Sequence, residues 1–402
     1  MTWPTVRVGD VALQIRGVTF AKSEALSEPA TGRVPILTAS NVTELGLVED
    51  SVLHVPSAMV ADRQLLRRND LLVTASSGSL NVVGRAVLVR NDITASFGAF
   101  CKVLRPSASI DPSYFAHYFK TTEYRARVSR LSAGANINNL RNEDLDGLVI
   151  PLPPLPEQRR IASILDQADE LRQNRRYAIT AMNELSNSAF ESAIAVAVDS
   201  SVVPLADAYW FQEGPGVRNW QFKDVGIKLL NVGNILKTGQ LDLSRTSKFI
   251  SEDEAHGKYQ HFLIDEGDYV IASSGISFDA DGLLRTRGAY VRSSDLPLCM
   301  NTSTIRFKAR PGISTLSFLD GWLSSKEFRT QISRLVTGSA QQNFGPSHLR
   351  QLAVRLPSIE IQNSLTSQLE ELSRLRATNQ SHLAKLDELF ASLQHRAFRG
   401  EL

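Results

Sequence analysis

The sequence predicts an α+β fold with two pseudo-symmetric α/β globules, separated by two long antiparallel coiled-coil helices and built by tandem duplication. Three observations predict it: self-similarity along the chain, short β-branched runs early in each repeat, and a long heptad-like segment at the end of each repeat. At 402 residues the chain also exceeds what a single core usually organises. Two globular parts are therefore expected.

The duplication is carried by segments that recur at a nearly constant offset. Residues 114–135 align with residues 318–339, and the same offset continues from Asn139 and Asn343 to Glu184 and Glu388. Earlier in each copy the offset is slightly smaller, as loop insertions would make it, and NDLLVTASSG (69–78) aligns with GDYVIASSG (267–275). The predicted segments are a globule (1–153), a helix (154–199), a second globule (200–356) and a second helix (357–402).

Each globule is predicted to begin with short strands such as DLLVTASSG and RAVLVR, separated by Gly, Asn and Ser turns. One amphipathic helix follows, for which Asp111-Pro112 is a plausible start. Its apolar face is predicted to carry Phe115, Tyr118, Phe119, Thr122, Val128 and Leu131. A last strand, DGLVIPL or RQLAVRL, then leads into the long helix.

A run of prolines separates the first globule from its helix. Pro151, Pro153 and Pro154 allow neither a ladder hydrogen bond nor a helical turn, so the strand must end there. Pro156 fits the first turn of a helix, where its missing N–H has no cost. In the second copy Ser358 is the predicted N-cap. The run predicts a stiff junction.

The two long helices show apolar residues spaced by threes and fours, which is typical of a coiled-coil seam. The predicted seam of the first helix is Ile161, Ile164, Ala168, Leu171, Ala178, Met182, Leu185 and Ala189. That of the second helix is Leu365, Leu372, Leu375, Leu386, Leu389 and Leu393. Both copies place a polar residue, Arg175 or Asn379, at one shared seam position. It either sets the register or marks a solvated gap.

Composition and charge exclude several classes of protein. No run of about 18 apolar residues is present, and the N-terminus does not resemble a signal peptide, so a cytoplasmic protein is expected. Cys101 and Cys299 are predicted to be buried apolar side chains. The net charge of +2 permits a nucleic-acid partner without requiring one.

The sequence carries no motif for catalysis that we could identify. It lacks a Walker A loop, an HExxH pair and zinc-type Cys/His spacing. DPSY (111–114) differs by one residue from a motif of amino-methyltransferases, but no glycine-rich cofactor loop precedes it, so it is interpreted as a helix start. A non-catalytic protein is predicted.

Two globules held at a fixed separation suit a target with two elements at a fixed separation, and bipartite DNA is the leading case. The loops GANINNLRNED and GSAQQNFGPSH occupy equivalent positions but differ, as reading two base sequences would require. The alternative is that loops simply diverge faster than cores. Two other classes stay open: a scaffold whose globules bind proteins, and a self-contained methyltransferase.

Three segments closely resemble one known family. IPLPPLPEQRRIASIL, its repeat LPSIEIQNSLTSQLEEL and the chain end LFASLQHRAFRGEL are similar to the specificity subunit of Type I restriction–modification systems. The resemblance covers essentially all 402 residues, including the duplication. The second copy departs from the pattern, because PSIEIQ replaces PPLPEQ, so the two helices are not expected to engage a partner equally.

The resemblance implies that residues 1–153 and 200–356 are target recognition domains, each reading one half of a split double-stranded DNA sequence. Residues 154–199 and 357–402 would be conserved spacer helices that dock two adenine-methylating modification subunits. Restriction subunits would join this complex. S-adenosylmethionine, ATP and Mg would then be bound by partner subunits, and no cofactor, metal or membrane by this chain.

Carried onto this sequence, the resemblance also implies site residues. The candidate DNA contacts are polar residues of strand ends and loops: Ser76, Ser77, Asn81, Arg85, Asn136, Asn138, Asn139, Ser273, Ser274, Arg285, Arg287, Gln341, Gln342 and Asn343. The candidate partner contacts lie on the outer face of the helices: Glu157, Gln158, Arg159, Arg160 and Gln362.

Overall fold

The computed structural model describes residues 3–44, 46–132, 138–196, 200–275, 277–278, 283–336 and 343–402. The chain divides into two compact units, Met1–Ala178 with Asn379–Leu402 (unit 1) and Ile179–Thr378 (unit 2). Each unit contains one globule together with parts of both long helices. The predicted fold class is confirmed, whereas the boundaries of the four predicted segments stay a prediction.

The first half of the chain contains thirteen strands and five helices among the described residues. The strands are β1 (Thr5–Arg7), β2 (Ala12–Arg16), β3 (Arg33–Leu37), β4 (Val42–Thr43), β5 (Gly46–Leu47), β6 (Leu53–Pro56), β7 (Leu71–Thr74), β8 (Ser76–Ser77), β9 (Ala86–Leu88), β10 (Ser96–Phe97), β11 (Cys101–Pro106), β12 (Asn138–Asn139) and β13 (Val149–Pro151). The helices are α1 (Val8–Val11), α2 (Pro112–Tyr118), α3 (Thr122–Ser132), α4 (Asn142–Asp146) and α5 (Leu155–Val196).

The second half follows a similar order with local differences. Its strands are β14 (Val202–Pro204), β15 (Tyr209–Glu213), β16 (Ile227–Leu230), β17 (Phe249–Ile250), β18 (Tyr269–Ala272), β19 (Ser277–Phe278), β20 (Leu284–Arg285), β21 (Gly288–Tyr290), β22 (Leu298–Met300), β23 (Thr304–Ala309) and β24 (Ala353–Arg355). Its helices are α6 (Leu205–Ala208), α7 (Glu252–His256), α8 (Leu316–Ser324), α9 (Lys326–Leu335), α10 (Pro346–Leu349) and α11 (Ile359–Arg399).

The two globules share their main sheets. An antiparallel sheet with the order β2-β11-β7-β9 recurs as β15-β23-β18-β21. A three-stranded sheet, β10-β3-β6, recurs as β22-β16-β17 with the same parallel and antiparallel pairs. The pair β1-β13 recurs as β14-β24. The duplication seen in the sequence is therefore a duplication of topology.

The single amphipathic helix predicted for each globule is two helices. In unit 1, α2 and α3 are separated at Thr121, whose hydroxyl accepts a hydrogen bond from the Tyr124 amide. In unit 2, Ser325 caps α9 in the same way. A short hydroxyl side chain that caps a new helix start favours the break. Asp111 caps α2 through the Ser113 and Tyr114 amides, as the interpretation of DPSY predicted.

The core of each globule lies between the sheet and these helices. Phe115, Tyr118, Phe119 and Val128 are buried as predicted, but Leu131 is 40% exposed and does not belong to the core. In unit 2 the equivalent helix buries a run of large apolar side chains, and these are Phe318, Leu319, Trp322 and Leu323.

The long helices begin where the sequence predicts. α5 starts at Leu155 with Pro156 in its first turn, and α11 starts at Ile359 directly after Ser358. Within unit 1 the two helices run antiparallel. Arg172 contacts Asp387, whereas Arg175, which lies further along α5, contacts Asn379, which lies nearer the start of α11. None of the described helices is both long and apolar enough to cross a bilayer.

The coiled-coil seam differs from the predicted one by one residue. Ile161, Leu165 and Ala168 are buried in unit 1, whereas the predicted seam residues Leu171 and Leu389 are 54% and 50% exposed. The seam continues instead through the half-buried Arg172. The predicted seam includes Leu171, whereas the buried face of the helix includes its polar neighbour Arg172.

The same displacement occurs in unit 2. Leu185 and Leu375 are 56% and 37% exposed, and the seam passes through Arg376, which donates to the Asn183 side chain at 3.1 Å. Arg376 occupies the position of Arg172 in the repeat. An apolar-only seam is therefore the wrong description of both helices.

The shared polar seam position is satisfied. Arg175 Nη1 donates to Asn379 Oδ1 at 3.0 Å, and Asn379 is only 8% exposed. The two residues thus bond to one another, although the Arg175 side chain stays exposed to solvent. This contact favours the interpretation that the pair fixes the register.

Candidate nucleic-acid interface and partner surface

Two of the predicted DNA-contacting segments of unit 1 form one small sheet. β8 pairs antiparallel with β12, with Asn139 opposite Ser76 and Asn138 opposite Ser77. The base of this sheet is fixed by the buried Lys102, whose Nζ donates to the Leu140 carbonyl at 2.6 Å. Residues remote in sequence are thereby placed side by side, and Asn139 is exposed. Asn136 lies outside the described residues.

The other two candidates of unit 1 lie on the loop that follows β8. Asn81 is exposed, and its carbonyl accepts from Arg125 Nη2 at 3.3 Å, so a helix side chain steadies this loop. Arg85 is half-buried and forms an ion pair with Glu44 at 3.2 Å. The assignment of both residues as DNA contacts stays a prediction.

The equivalent end of unit 2 is built differently. Here the segment after β18 forms a hairpin, β19-β20, that the described residues of unit 1 do not have. Arg285 and Asn343 are exposed, and Ser274 and Arg287 are partly buried. Gln341 and Gln342 lie outside the described residues. The two globules therefore present different surfaces on the same sheet.

Ser273 is corrected as a candidate DNA contact. It is 1% exposed, and its carbonyl accepts from the Phe344 amide at 3.0 Å. In unit 1 the same bond joins the Leu140 amide to Ala75, so Ser273 is the counterpart of Ala75. Its side chain faces the interior.

Gln158 and Gln362 are corrected as outer-face residues, because they are 1% and 0% exposed. The Gln158 side chain accepts from the Asp111 amide at 2.7 Å and donates to the Ser109 and Pro153 carbonyls at 3.3 and 2.8 Å. These bonds tie the first turn of α5 to the chain that enters α2.

Gln362 repeats this arrangement in unit 2. It accepts from the Thr315 amide at 2.9 Å and donates to the Ile313 and Pro357 carbonyls at 3.0 and 2.9 Å. All three partners are the repeat counterparts of those in unit 1. We call Gln158 and Gln362 with these bonds the glutamine anchors. Their similarity in sequence reflects a structural joint.

The remaining partner candidates lie at the surface. Arg160 forms a two-bond ion pair with Glu157, at 2.7 and 2.9 Å, and the pair holds the pKa of the Glu157 carboxyl below its usual value. Arg160 also donates to the Leu402 carbonyl at 2.7 Å. Arg159 is exposed and has no hydrogen bond or ion pair with the part of the chain that the structure describes.

A carboxylate network attaches α5 to the globule in unit 1. Asp166 accepts from Ser113 Oγ at 2.6 Å and Arg90 at 2.9 Å, and it lies 3.0 Å from Nε2 of the buried His117. Burial opposes ionisation of Asp166, but the hydrogen bonds from His117 and Ser113 outweigh it and hold the pKa of this carboxyl below its usual value. Desolvation lowers the pKa of His117.

In unit 2 a partly buried carboxylate belongs to the globule, whereas in unit 1 the carboxylate of the network, Asp166, belongs to the long helix. Asp320 of α8 accepts a short hydrogen bond from the Tyr269 hydroxyl. Desolvation raises the pKa of Asp320, and the bond from Tyr269 only partly offsets it. Desolvation and the neighbouring Asp320 also raise the pKa of Tyr269.

The described residues contain no group of three or more His, Cys, Asp or Glu side chains arranged to hold a metal ion. Cys101 and Cys299 are buried thiols, as predicted, and burial raises the pKa of each to about 12.

The exposed leucines are the surface feature that the sequence analysis missed. Leu171 and Leu389 lie in unit 1, and Leu375 and Leu185 in unit 2. They are repeat counterparts of one another, Leu171 with Leu375 and Leu185 with Leu389. Their signal in the sequence is a leucine at both positions in both copies, which the spacing by threes and fours places in the seam instead of on the surface.

Comparison with known proteins agrees with the resemblance seen in the sequence. Residues 1–181 match the family described as the Type I restriction modification DNA specificity domain. Over the whole chain, the sequence is 27% identical to the StySPI specificity subunit of Salmonella potsdam and 26% identical to the EcoKI specificity subunit of Escherichia coli K12. Each alignment covers 89% of the relative.

Along its whole length the chain is similar to Type I specificity subunits. Its fold is that of the specificity subunit of M. genitalium, with a TM-score of 0.58 at 16% identity, covering 99% of this chain and 96% of the other. A second chain, from a structure of complex assembly and conformational transition in the type I R-M system, gives a TM-score of 0.53 at 16% identity, covering 100% and 98%. These likenesses confirm the two-globule specificity-subunit fold.

Proposed function

We propose that this specificity subunit reads a bipartite double-stranded DNA target, each globule contacting one half, within a complex that methylates adenine. The supporting observation is the contrast between the two sheet ends. The same strand order supports the β8-β12 pair in unit 1 and the β19-β20 hairpin in unit 2. A common scaffold with different end surfaces suits the reading of two different sequences.

The long helices would set the spacing between the half-sites and dock two modification subunits. α5 is a single helix of 42 residues, or about 63 Å at 1.5 Å per residue. Exposed leucines at equivalent positions of the two repeats support docking, because contact with a partner would remove their apolar surface from water. Two equivalent pairs suit two copies of one partner.

In this proposal the chain binds no cofactor of its own. Modification subunits would supply S-adenosylmethionine and the transfer of the methyl group to adenine. Restriction subunits, with ATP and Mg, would join through the modification subunits. The complex would act in the cytoplasm, where the DNA is accessible. Purified chain alone is expected to show no methylation of DNA with S-adenosylmethionine.

The assignment of half-sites is tested by mapping methylated adenines in cells that express the chain with its modification subunit. Asn139→Ala is expected to change or relax only the first half of the target, and Arg285→Ala only the second. Each lost base contact should weaken discrimination by about 1–3 kcal/mol. A variant that changes both halves together would contradict the assignment of one globule to each half.

DNA binding itself is tested by salt dependence. Phosphate contacts make the affinity fall steeply between about 50 and 200 mM salt, whereas a scaffold that binds proteins through apolar contacts would change little. Binding of the complex to a duplex that carries the mapped target is measured at both concentrations. A flat dependence would favour the scaffold.

Docking through the leucines is tested by the number of modification subunits per complex. The double variant Leu171→Ser/Leu389→Ser is expected to lose the modification subunit that docks on unit 1. Leu185→Ser/Leu375→Ser is expected to lose the one that docks on unit 2. Each double variant should therefore keep one bound subunit. Leu13→Ser, at an exposed leucine of β2, serves as the control. Native mass spectrometry reads the stoichiometry. Two bound subunits in both double variants would contradict docking at these positions.

A further inference from the structure

A cavity of unit 1 carries an excess of positive charge where the globule meets α5. It encloses about 460 Å³, and its wall includes the side chains of Arg67, Arg68, Arg105 and Arg159 beside Leu155. We call these four arginines with their cavity the arginine cavity. Cations converge here from three separate elements: the turn before β7, the end of β11 and the first turns of α5.

Only one of the four arginines has a buried counter-ion. Arg105 binds both oxygens of Asp70, at 2.7 and 2.8 Å. Arg67 contacts Asp62 at 3.3 Å, but both side chains are more than half exposed, so the pair contributes little. Arg68 and Arg159 are exposed and have no ionic or hydrogen-bonded partner among the described residues. Three guanidinium groups are thus available to an external anion.

The repeat counterpart in unit 2 has the opposite character. The turn before β18 carries Asp265 and Glu266 where unit 1 has Arg67 and Arg68. Asn363 occupies the position of Arg159. Asp265 is paired with Lys308, the counterpart of Arg105. The nearby Arg310 is turned to the Ala206 carbonyl at 2.9 Å. Because unit 2 has the same topology without the basic residues, the fold does not require them.

The position of the cavity favours a protein partner over DNA. Arg68 and Asn69 precede β7, whereas Ser76 follows it, so the cavity and the proposed DNA-reading sheet lie at opposite ends of this strand. Arg159 and Leu155 belong to the first turns of the helix that carries the proposed docking leucine Leu171. Planar guanidinium groups bind carboxylates through two parallel hydrogen bonds.

We propose that the arginine cavity receives an acidic segment, rich in Asp or Glu, of the modification subunit that docks on unit 1. This inference rests on the proposed function and deepens it. Charge complementarity is available only at this unit, because the counterpart in unit 2 is acidic. The two docking events therefore differ: the one at unit 1 is salt-sensitive, and the one at unit 2 depends on apolar contact.

The test is the double charge reversal Arg68→Glu/Arg159→Glu in the full chain, mixed with its modification subunit. Both residues are exposed, so the variant is expected to fold, and its melting temperature is compared with that of the wild type. Native mass spectrometry at about 50 and 300 mM salt measures the populations with one and two modification subunits. The expected result is an affinity for the second subunit that is lower by a factor of about ten or more, equivalent to a loss of about 1.4 kcal/mol or more.

Asn363→Glu, at the equivalent position of unit 2, is the matched control and is expected to change neither population. A reversal variant that folds and still binds two subunits with wild-type affinity would overturn the inference alone. A variant that loses affinity for duplex DNA but keeps two subunits would also overturn it, because the cavity would then contact phosphates. A wild-type chain that binds no modification subunit would overturn the proposed function itself.

Discussion

The two units attach the same long helices by different chemistry. In unit 1, Gln394 of α11 donates to the His117 carbonyl at 3.0 Å, and Asp166 of α5 holds Ser113 and His117. In unit 2 the counterpart of Gln394 is Phe190, which packs on α8. The two units thus share a topology but differ in the contact between globule and long helix. We call this contact the joint of each unit. It is polar in unit 1 and apolar in unit 2.

A glycine makes the apolar joint possible. A Cβ at Gly321 of α8 would lie only 2.3 Å from a ring carbon of Phe190, so any side chain there would displace the ring. Gly321 is the counterpart of His117. The comparison teaches that each unit matches the residue on the long helix to its position on the globule: Gly321 leaves room for the Phe190 ring, whereas the His117 backbone carbonyl accepts from Gln394.

The largest expected effect comes from removing the apolar joint. Phe190→Ala should lower the free energy of unfolding of unit 2 by about 3–5 kcal/mol, because a buried ring is lost and a cavity remains. Hydrogen exchange of backbone amides, resolved by unit, measures the change without assuming two-state unfolding.

The matched variant in unit 1 is Gln394→Ala, which should cost about 0.5–1.5 kcal/mol because the His117 carbonyl loses one donor but keeps the Lys120 amide. If Gln394→Ala cost as much as Phe190→Ala, the contrast between a polar and an apolar joint would be wrong.

The glutamine anchors should show the opposite behaviour, that is, equal effects. Gln158→Ala and Gln362→Ala each leave one amide N–H and two carbonyls without a partner, so each should cost its own unit about 1–3 kcal/mol. Unit-resolved hydrogen exchange again provides the measurement. A large effect in one unit and none in the other would mean that the anchors are not equivalent.

The carboxylates of the two joints should give opposite responses to pH. The pKa of Asp166 is lowered in the folded state, so its contribution is present above its ordinary pKa of about 3.9 and is lost as the pH falls below it. The pKa of Asp320 is raised, so unit 2 loses stability as the pH rises from about 3.9 through the raised value.

Asp320→Asn should therefore stabilise unit 2 at neutral pH, since the amide oxygen still accepts from Tyr269 without a charge. Asp166→Asn should destabilise unit 1 at neutral pH and remove its loss of stability in acid. Amide exchange between about pH 2 and 8 follows both variants, because the carboxylate with the lowered pKa titrates below its ordinary value of about 3.9. Parallel pH profiles for the two variants would refute the opposed pKa directions.

The smallest effect is expected for the exposed leucines in the chain without partners. Leu171→Ala and Leu375→Ala should each change the free energy of unfolding by no more than about 0.5 kcal/mol, as is usual for surface positions. A loss above about 2 kcal/mol, typical of a buried leucine, would mean that these residues belong to the seam after all.

The sequence predicted the duplicated fold because a constant offset imposes the same element order on both halves. It did not predict the seam correctly, since a spacing of apolar residues cannot mark interface positions that are occupied by Arg172 and Arg376. Arg172 can lie there because it contacts Asp169 and Asp387 and because its guanidinium stacks on a ring 4.2 Å away. Such compensation depends on residues more than two hundred positions apart.

The candidate site was predicted less completely than the fold. Gln158 and Gln362 are polar residues in the first turn of a helix, which normally indicates solvent exposure. Their partners are main-chain atoms near Asp111 and Thr315, and sequence carries no signal for an unpaired carbonyl. Conversely, the pairing of Ser76 with Asn139 requires two loops to meet, which a one-dimensional pattern cannot show.

The glutamine anchors have a consequence for how such proteins diversify. The bonds that the Gln158 and Gln362 side chains make all go to backbone carbonyls or amides. Such hydrogen bonds do not depend on which side chains the contacted segment of the globule carries. A globule could therefore change its proposed DNA-contacting residues, or be replaced by another globule, while its attachment to the long helix stays the same.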